Sequence, residues 1–77
     1  MDTKTSFDEE WDAKDMGCGE LVLDLSIKLR LSPGKIFKLI ATDPGAPYDI
    51  PAWCRMTYNE LVHTDPVMHS YWIKSNY

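Results

Sequence analysis

The length of 77 residues is the strongest constraint on what this chain can fold into, because it allows one small domain. A domain of this size buries only about 60% of the surface that its unfolded chain exposes, so we expect a thin hydrophobic core. It has no room for both a substrate pocket and a cofactor-binding unit of ordinary size. We therefore expect either chemistry at a single residue or a binding surface.

Composition supports a folded domain and restricts its partners. Hydrophobic residues make up 44% of the chain, which argues against disorder. The net charge of −4 lacks the excess of Lys and Arg that would displace counterions from nucleic acid or attract an anionic membrane. We therefore expect no direct nucleic-acid binding and no membrane association.

The N-terminus and the apolar runs bear on location. The first ten residues are polar and acidic, unlike a signal peptide. The apolar runs are too short to span a membrane. We expect residues 1–8 to form a flexible lead-in, residues 9–77 to form a single domain, and the protein to be a cytoplasmic monomer.

The segment from Leu23 to Leu31 fits two structures. Apolar and polar residues alternate along it without a break, which is typical of a half-buried strand. Leu, Lys and Arg are nevertheless better helix formers than strand formers. On a helix the apolar residues form two stripes, one of Leu21, Val22, Leu25 and Leu29 and another of Leu23, Ile27 and Leu31. From these patterns alone, both strand and helix remain open.

The rest of the chain gives clearer signals. Residues 9–13, 35–41 and 68–74 are predicted strands, and residues 42–48 form a loop rich in proline and glycine. Apolar residues recur at helical spacing from about Asp49 to Glu60, which predicts a helix with Asp49 as its N-cap.

Two cysteines, Cys18 and Cys54, are too few for the disulfide framework of a small secreted protein. Each is therefore a buried apolar residue or a working thiol. Cys18 lies in a loop between Gly17 and Gly19, whereas Cys54 lies on the apolar stripe of the predicted helix. We expect Cys54 to pack in the core, with a second working thiol as the alternative.

Other side chains that could carry chemistry have simpler explanations. His63 and His69 are each expected to flank a strand, and without a Cys-X-X-Cys motif or a closely spaced His pair we expect no metal site. Turn and cap duties explain Asp43 and Asp49. Asp12 either orients the cysteine loop or ends a strand.

Two motifs resemble those of the TusA (SirA-like) sulfur-carrier family. In the first, Asp12-Ala13 precedes Cys18 at the family's spacing. The second is longer and more specific, with Asp43-Pro44 followed by Asp49-Ile50-Pro51-Ala52-Trp53-Cys54. Residues 59–62 and 71–74 are similar to the family's last strands, so the resemblance covers about residues 9–75.

The resemblance implies an α+β fold of order βαβαββ. Its architecture is a two-layer α/β sandwich, with two helices packed on one face of a mixed four-stranded sheet. This order makes residues 19–31 a helix, because a right-handed βαβ crossover then explains the chain length between the first two strands.

The resemblance also implies a sulfur carrier that holds sulfane sulfur as a persulfide on Cys18. A sulfur-donor protein, such as a cysteine desulfurase, a rhodanese or another sulfur carrier, would load Cys18, and a sulfur-acceptor protein would unload it. No cofactor and no metal are implied, and the protein would act with partner enzymes rather than as a free-standing enzyme. Asp12, Gly17, Gly19 and Glu20 are the candidate supporting residues.

Local charge acts on Cys18 in both directions. The start of a helix would lower the pKa of the thiol, whereas the carboxylates of Asp15 and Glu20 would raise it.

A non-catalytic regulatory or partner-binding module of the same fold is the alternative function. A thiol redox switch using Cys18 and Cys54 is another.

One departure from the family pattern concerns the cysteine motif itself. The family usually has Cys-Pro-X-Pro, whereas this chain has Cys18-Gly19-Glu20-Leu21, and Asp15 stands where the family often has glycine. Because proline fixes the entry into a helix, we expect a looser junction here. We also expect a choice of partner that differs from that of the tRNA-thiolating members.

Overall fold

A computed structural model of the chain describes residues 6–76, apart from the side chain of Cys18. The elements in chain order are β1 (Glu9–Asp12), α1 (Cys18–Leu31), β2 (Ile36–Ile40), α2 (Ala46–Thr57), β3 (Glu60–Asp65) and β4 (Ser70–Lys74). Residues 1–5 of the predicted lead-in, and Tyr77 of the predicted domain, lie outside the described residues.

The four strands form one mixed sheet in the order β1-β2-β4-β3. β1 pairs with β2 in parallel, and α1 is the crossover between them. β4 pairs antiparallel with both β2 and β3. The predicted α+β sandwich with the order βαβαββ is therefore confirmed.

The core lies between the helices and one face of the sheet. Each helix contributes residues at a spacing of four, which is one helical face, and each central strand contributes alternate residues. The side chains that these elements contribute to the hydrophobic core are Leu21, Leu25 and Leu29 of α1, Ala46, Ile50 and Cys54 of α2, Phe37 and Leu39 of β2, and Tyr71 and Ile73 of β4.

α1 settles the ambiguity of its sequence in favour of a helix. Leu21, Leu25 and Leu29 are fully buried, so they form the stripe that packs on the sheet. Leu23, Ile27 and Leu31 are 64%, 53% and 79% exposed on the opposite side. The alternation in the sequence therefore comes from two apolar stripes on one helix, and the strand interpretation is wrong.

α2 begins at Ala46, three residues before the predicted N-cap, so Asp49 lies in its first turn. Pro47 is accommodated there because the first N–H groups of a helix have no acceptor within it. The carboxylate of Asp43 accepts a hydrogen bond of 3.0 Å from the N–H of Gly45, which orders the turn that leads into the helix. The helix ends at Thr57, and Tyr58 follows in the left-handed conformation with φ of 61°.

The C-terminal segment is tied to the far end of α1. The Ser75 hydroxyl donates a buried hydrogen bond of 2.7 Å to the carbonyl of Leu29, and the Ser75 N–H donates one of 2.8 Å to the carbonyl of Lys35. The N–H of Asn76 donates to the side-chain oxygen of Asn59 at 2.8 Å. These bonds close the end of the domain opposite Cys18.

Neither described helix is long and apolar enough to cross a membrane.

Candidate functional site

The C-terminal ends of β1 and β2 meet the start of β4 at one end of the sheet. The N–H of Ala13 donates to the carbonyl of Ile40 at 2.8 Å, and the N–H of Ala41 donates to the carbonyl of His69 at 3.0 Å. Both helices begin at this end, because each follows directly on one of the two parallel strands. The topology therefore places Cys18, the first residue of α1, at the end where three loops converge.

The loop from β1 to Cys18 is ordered by Asp12. The carboxylate of Asp12 accepts a hydrogen bond of 2.8 Å from the N–H of Lys14, which has a positive φ of 54°. The carbonyl of Lys14 in turn accepts bonds from the N–H and the hydroxyl of Thr42, at 3.0 and 2.8 Å. Asp12 thus both ends its strand and orients the loop, and the loop is fastened to the chain that follows β2.

The start of α1 leaves backbone donors without an acceptor in the helix. Gly17 is the N-cap, with φ of −64° and ψ of 147°, and it has no side chain that could cap the helix. The first hydrogen bond of the helix runs from the N–H of Leu21 to the carbonyl of Gly17, at 2.9 Å. The N–H groups of residues 18–20 therefore lie before the helical ladder, where the partial positive charge of the helix is concentrated.

The two glycines around Cys18 lie in open space. A Cβ atom added to Gly17 or Gly19 would meet no other atom within 4 Å. Packing therefore does not require glycine at either position. The candidate supporting residue Glu20 is exposed in the first turn of α1, and Asp15 is exposed in the preceding loop. Both carboxylates lie near Cys18 along the chain, as the sequence indicates.

Cys54 has a different environment. It is 2% exposed and belongs to the buried core of α2. Burial raises the pKa of the Cys54 thiol from its ordinary value of 9.0 to about 11. Because the thiolate is the nucleophilic form of cysteine, this thiol is a weaker nucleophile near neutral pH than an exposed cysteine.

The two histidines lie in β3 and in the turn before β4. His63 lies within β3 rather than beside a strand, so that prediction is wrong, and its ring packs against Trp72 at 5.1 Å between centroids. His69 lies in the turn before β4 with φ of 51°. Across the described side chains, which exclude that of Cys18, no group of three His, Cys, Asp or Glu residues could hold a metal.

A shallow groove of about 280 Å³ runs between the helices next to Gly19. It is lined by Gly19, Val22, Asp49, Ala52, Trp53 and Met56. Sequence reasoning missed this groove, and it also missed the contact of Thr42 with the cysteine loop. Helical spacing alone could have placed Val22 and Trp53 at the border of the apolar stripes, but no local signal pairs Thr42 with Lys14.

The fold and the position of the cysteine define a small α+β sandwich with a cysteine at the start of its first helix. The family model described as Sulfurtransferase TusA matches residues 9–75. The chain therefore belongs to the TusA family.

Curated relatives agree with this assignment. The chain is 40% identical over 72 residues to the sulfur carrier protein TusA of Pseudomonas aeruginosa PAO1, which covers 90% of this chain and 91% of that protein. It is 40% identical over 68 residues to the protein of the same name from Pseudomonas fluorescens SBW25, covering 84% and 82% of the two chains. The corresponding protein of Allochromatium vinosum is 37% identical over 59 residues, covering 75% and 78%. Family membership supports a sulfur-carrier role, with a sulfur donor and a sulfur acceptor as partners in general terms.

Proposed function

We propose that this protein carries sulfane sulfur as a persulfide on Cys18 and passes it to the thiol of a partner protein in the cytoplasm. The observation that carries this proposal is the position of Cys18 as the first residue of α1, in a family of sulfur carriers. The supporting residues in this proposal are Asp12, Gly17, Gly19 and Glu20.

Loading and unloading are two exchanges of the same kind. The Cys18 thiolate attacks the outer sulfur of a persulfide on the donor protein. The sulfur–sulfur bond of the donor breaks, its cysteine leaves as a thiolate, and Cys18 becomes the persulfide. A thiolate of the acceptor then attacks the outer sulfur on Cys18, and Cys18 leaves as a thiolate. Sulfur moves between thiols without a net oxidant or reductant.

The start of α1 suits both anions in this cycle. Thiolate and persulfide are negatively charged, and backbone N–H groups at a helix start stabilise anions. Gly17 contributes no side chain that would occupy these donors. The hydrogen bonds through Asp12, Lys14 and Thr42 hold the loop that enters the helix, so they fix where its first residue lies.

A redox switch between the two cysteines has less support. Cys54 is buried in the core, and its raised pKa keeps it protonated near neutral pH. A protonated thiol neither attacks a persulfide nor resolves one. We therefore propose that Cys54 is a packing residue and that Cys18 alone carries sulfur.

The test is intact mass after incubation with a persulfide-loaded donor. Wild type and Cys54→Ser should each gain one sulfur that mild reduction removes, and Cys18→Ser should gain none, because a hydroxyl stays protonated and forms no persulfide. Loading of Cys18→Ser at the wild-type level would refute the assignment to this residue. A loss of two hydrogens from wild type would instead indicate the redox switch, and no change in any variant would indicate a non-catalytic module.

A further inference from the structure

Three consecutive residues after β2 each anchor a different loop at the Cys18 end of the sheet. The N–H of Ala41 donates at 3.0 Å to a carbonyl in the turn before β4. Thr42 donates to the carbonyl of Lys14 in the cysteine loop. The carboxylate of Asp43 accepts a hydrogen bond of 3.0 Å from the turn that leads into α2. These three residues therefore set the positions of the three loops relative to one another.

The contact of Thr42 is double and is directed at one atom. Its N–H and its hydroxyl both donate to the carbonyl oxygen of Lys14, at 3.0 and 2.8 Å. The carboxylate of Asp12 holds the N–H of the same residue at 2.8 Å. Lys14 has a φ of 54°, and a residue with a side chain keeps this conformation only where its surroundings impose it. The bonds from Thr42 thus help to impose the turn that lies four residues before Cys18.

The start of α1 needs an anchor of this kind. Cys18 stands between Gly17 and Gly19, and no proline ring fixes the entry into the helix. Because glycine loses more conformational entropy in a helix than other residues do, and Gly17 has no side chain to cap the first turn, this turn is prone to fray. The loop before it is held from inside by Met16, which packs against the core, and at the surface by Thr42.

We propose that Thr42 is a positioning residue for sulfur exchange at Cys18. Its hydroxyl holds the turn at Lys14, so that the first turn of α1 keeps its backbone N–H groups in place for the sulfur anion. Thr42 is exposed, so loss of its hydroxyl leaves no cavity and should change sulfur exchange more than stability. The inference rests on the proposed function, because it concerns the same thiol.

Three variants separate the hydroxyl from the rest of the side chain. Thr42→Val removes the hydroxyl and keeps both the branched shape and the backbone N–H. Thr42→Ser keeps the hydroxyl and removes the methyl group. Thr57→Val is the matched control, because the Thr57 hydroxyl donates a bond of the same length, 2.8 Å, to the carbonyl of Trp53 at the end of α2 that lies away from Cys18.

Sulfur loading and alkylation measure the effect on Cys18 in two ways. Glutathione persulfide supplies the sulfur, and intact mass follows the gain of one sulfur with time. Iodoacetamide alkylates the thiol, and peptide mass locates the label on Cys18. Thr42→Val should load about two- to tenfold more slowly than the wild type, the range set by one hydrogen bond. Thr42→Ser and Thr57→Val should load at close to the wild-type rate.

The pH profile of alkylation shows whether the thiolate has lost its donors. Half-maximal alkylation of Thr42→Val should move to higher pH than that of the wild type, because a thiolate with less ordered N–H donors is less stable. The carboxylates of Asp15 and Glu20 are present in every variant, so their effect cancels in the comparison. Thermal melts should show that Thr42→Val is folded and close to the wild type in stability, since the lost hydrogen bond is exposed.

The outcomes separate failure of this inference from failure of the proposed function. If the wild type gains sulfur and Thr42→Val matches it in loading rate and in alkylation profile, Thr42 does not position Cys18, while the proposed function stands. If Thr42→Val shifts the alkylation profile and Thr42→Ser restores it, but no protein gains sulfur, the positioning role stands and the proposed function fails.

Two further results would overturn the inference. Equal losses in Thr42→Val and Thr57→Val would indicate a general loosening of the domain. A Thr42→Ser protein as slow as Thr42→Val would assign the effect to the methyl group instead of the hydroxyl.

Discussion

The burial of Cys54 predicts that two proteins differing only at this residue will exchange their order of stability as the pH rises. At neutral pH, Cys54→Ala removes a sulfur atom from a site that is 2% exposed, and it should cost about 1 kcal/mol. Loading of Cys18 with sulfur should be unchanged, because the substitution lies in the core and not at the start of α1.

At alkaline pH the same burial works against the wild type. The pKa of Cys54 is raised to about 11 in the folded protein from its ordinary value of 9.0. Above pH 9.0 the unfolded chain therefore releases a proton that the folded chain retains, and the free energy of unfolding falls as the pH rises towards 11. Because a rise in pKa of one corresponds to about 1.36 kcal/mol, the rise from 9.0 to about 11 sets an upper limit of about 2.7 kcal/mol for this loss. The stabilising effect of the thiol is thus complete below pH 9.0 and offset at about pH 10, and the loss reaches its full size only above pH 11.

Urea unfolding of both proteins at pH 7.5, 8.5, 9.5 and 10.5, with a reductant present, measures the difference directly. All other titrating groups are common to the two chains, so their effects cancel in the difference. The wild type should be the more stable protein at pH 7.5, and Cys54→Ala should become the more stable one at about pH 10. A difference that stays constant from pH 7.5 to 10.5 would refute the desolvated thiol, and a Cys54→Ala protein that folds but cannot be loaded would place Cys54 in the sulfur site.

Three further predictions follow from the cysteine loop and α1. Leu25→Ala should lower the free energy of unfolding by about 2–5 kcal/mol in a denaturant titration of dilute protein, and Leu23→Ala should lower it by well under about 1 kcal/mol, because only Leu25 is fully buried. Equal losses would refute the helix with two apolar stripes. Gly19→Ala should raise the stability by about 0.5–1 kcal/mol, since an added Cβ has open space there. Gly34→Ala should lower the stability, because the φ of Gly34 is 74°. Thermal melts measure both changes, and a Gly19→Ala protein of lower stability would contradict the open space. Asp12→Ala should speed hydrogen exchange at the Lys14 amide and slow sulfur loading, because the hydrogen bond to the Lys14 N–H is lost. Asp12→Asn should keep most of the exchange protection and most of the loading rate. Unchanged exchange in Asp12→Ala would show that the carboxylate does not order the loop.

The order of the elements could be predicted because the motifs around Cys18 and Cys54 resemble those of one family. Local pattern alone was insufficient for α1. A half-buried strand and a helix with two apolar stripes give the same alternation over residues 23–31. The two differ in whether Leu25 and Leu29 are buried without Leu23, Ile27 and Leu31, and that depends on packing against the sheet, which the local pattern does not show.

The limits of prediction at the candidate site have a similar cause. Cys18 and Asp12 could be picked out because they lie in one short motif. The contact of Thr42 with Lys14 joins residues 28 positions apart, so it appears only when the ends of β1 and β2 are side by side. The early start of α2 at Ala46 was missed because a segment with two prolines and a glycine resembles a loop, although a first helical turn tolerates proline.

The two ends of α1 are held by separate sets of hydrogen bonds, and Ser75 belongs to only one of them. At the far end, the hydroxyl of Ser75 reaches the carbonyl of Leu29, 46 positions earlier in the chain. At the near end, the loop before Cys18 is held through Lys14 and Thr42. A disturbance of the last residues therefore frays the helix from its C-terminus, while the turn that begins with Cys18 keeps its own anchor. The domain can thus lose order at the C-terminal end of α1, where Ser75 is hydrogen-bonded, without displacing Cys18, the proposed sulfur-carrying residue, at the other end.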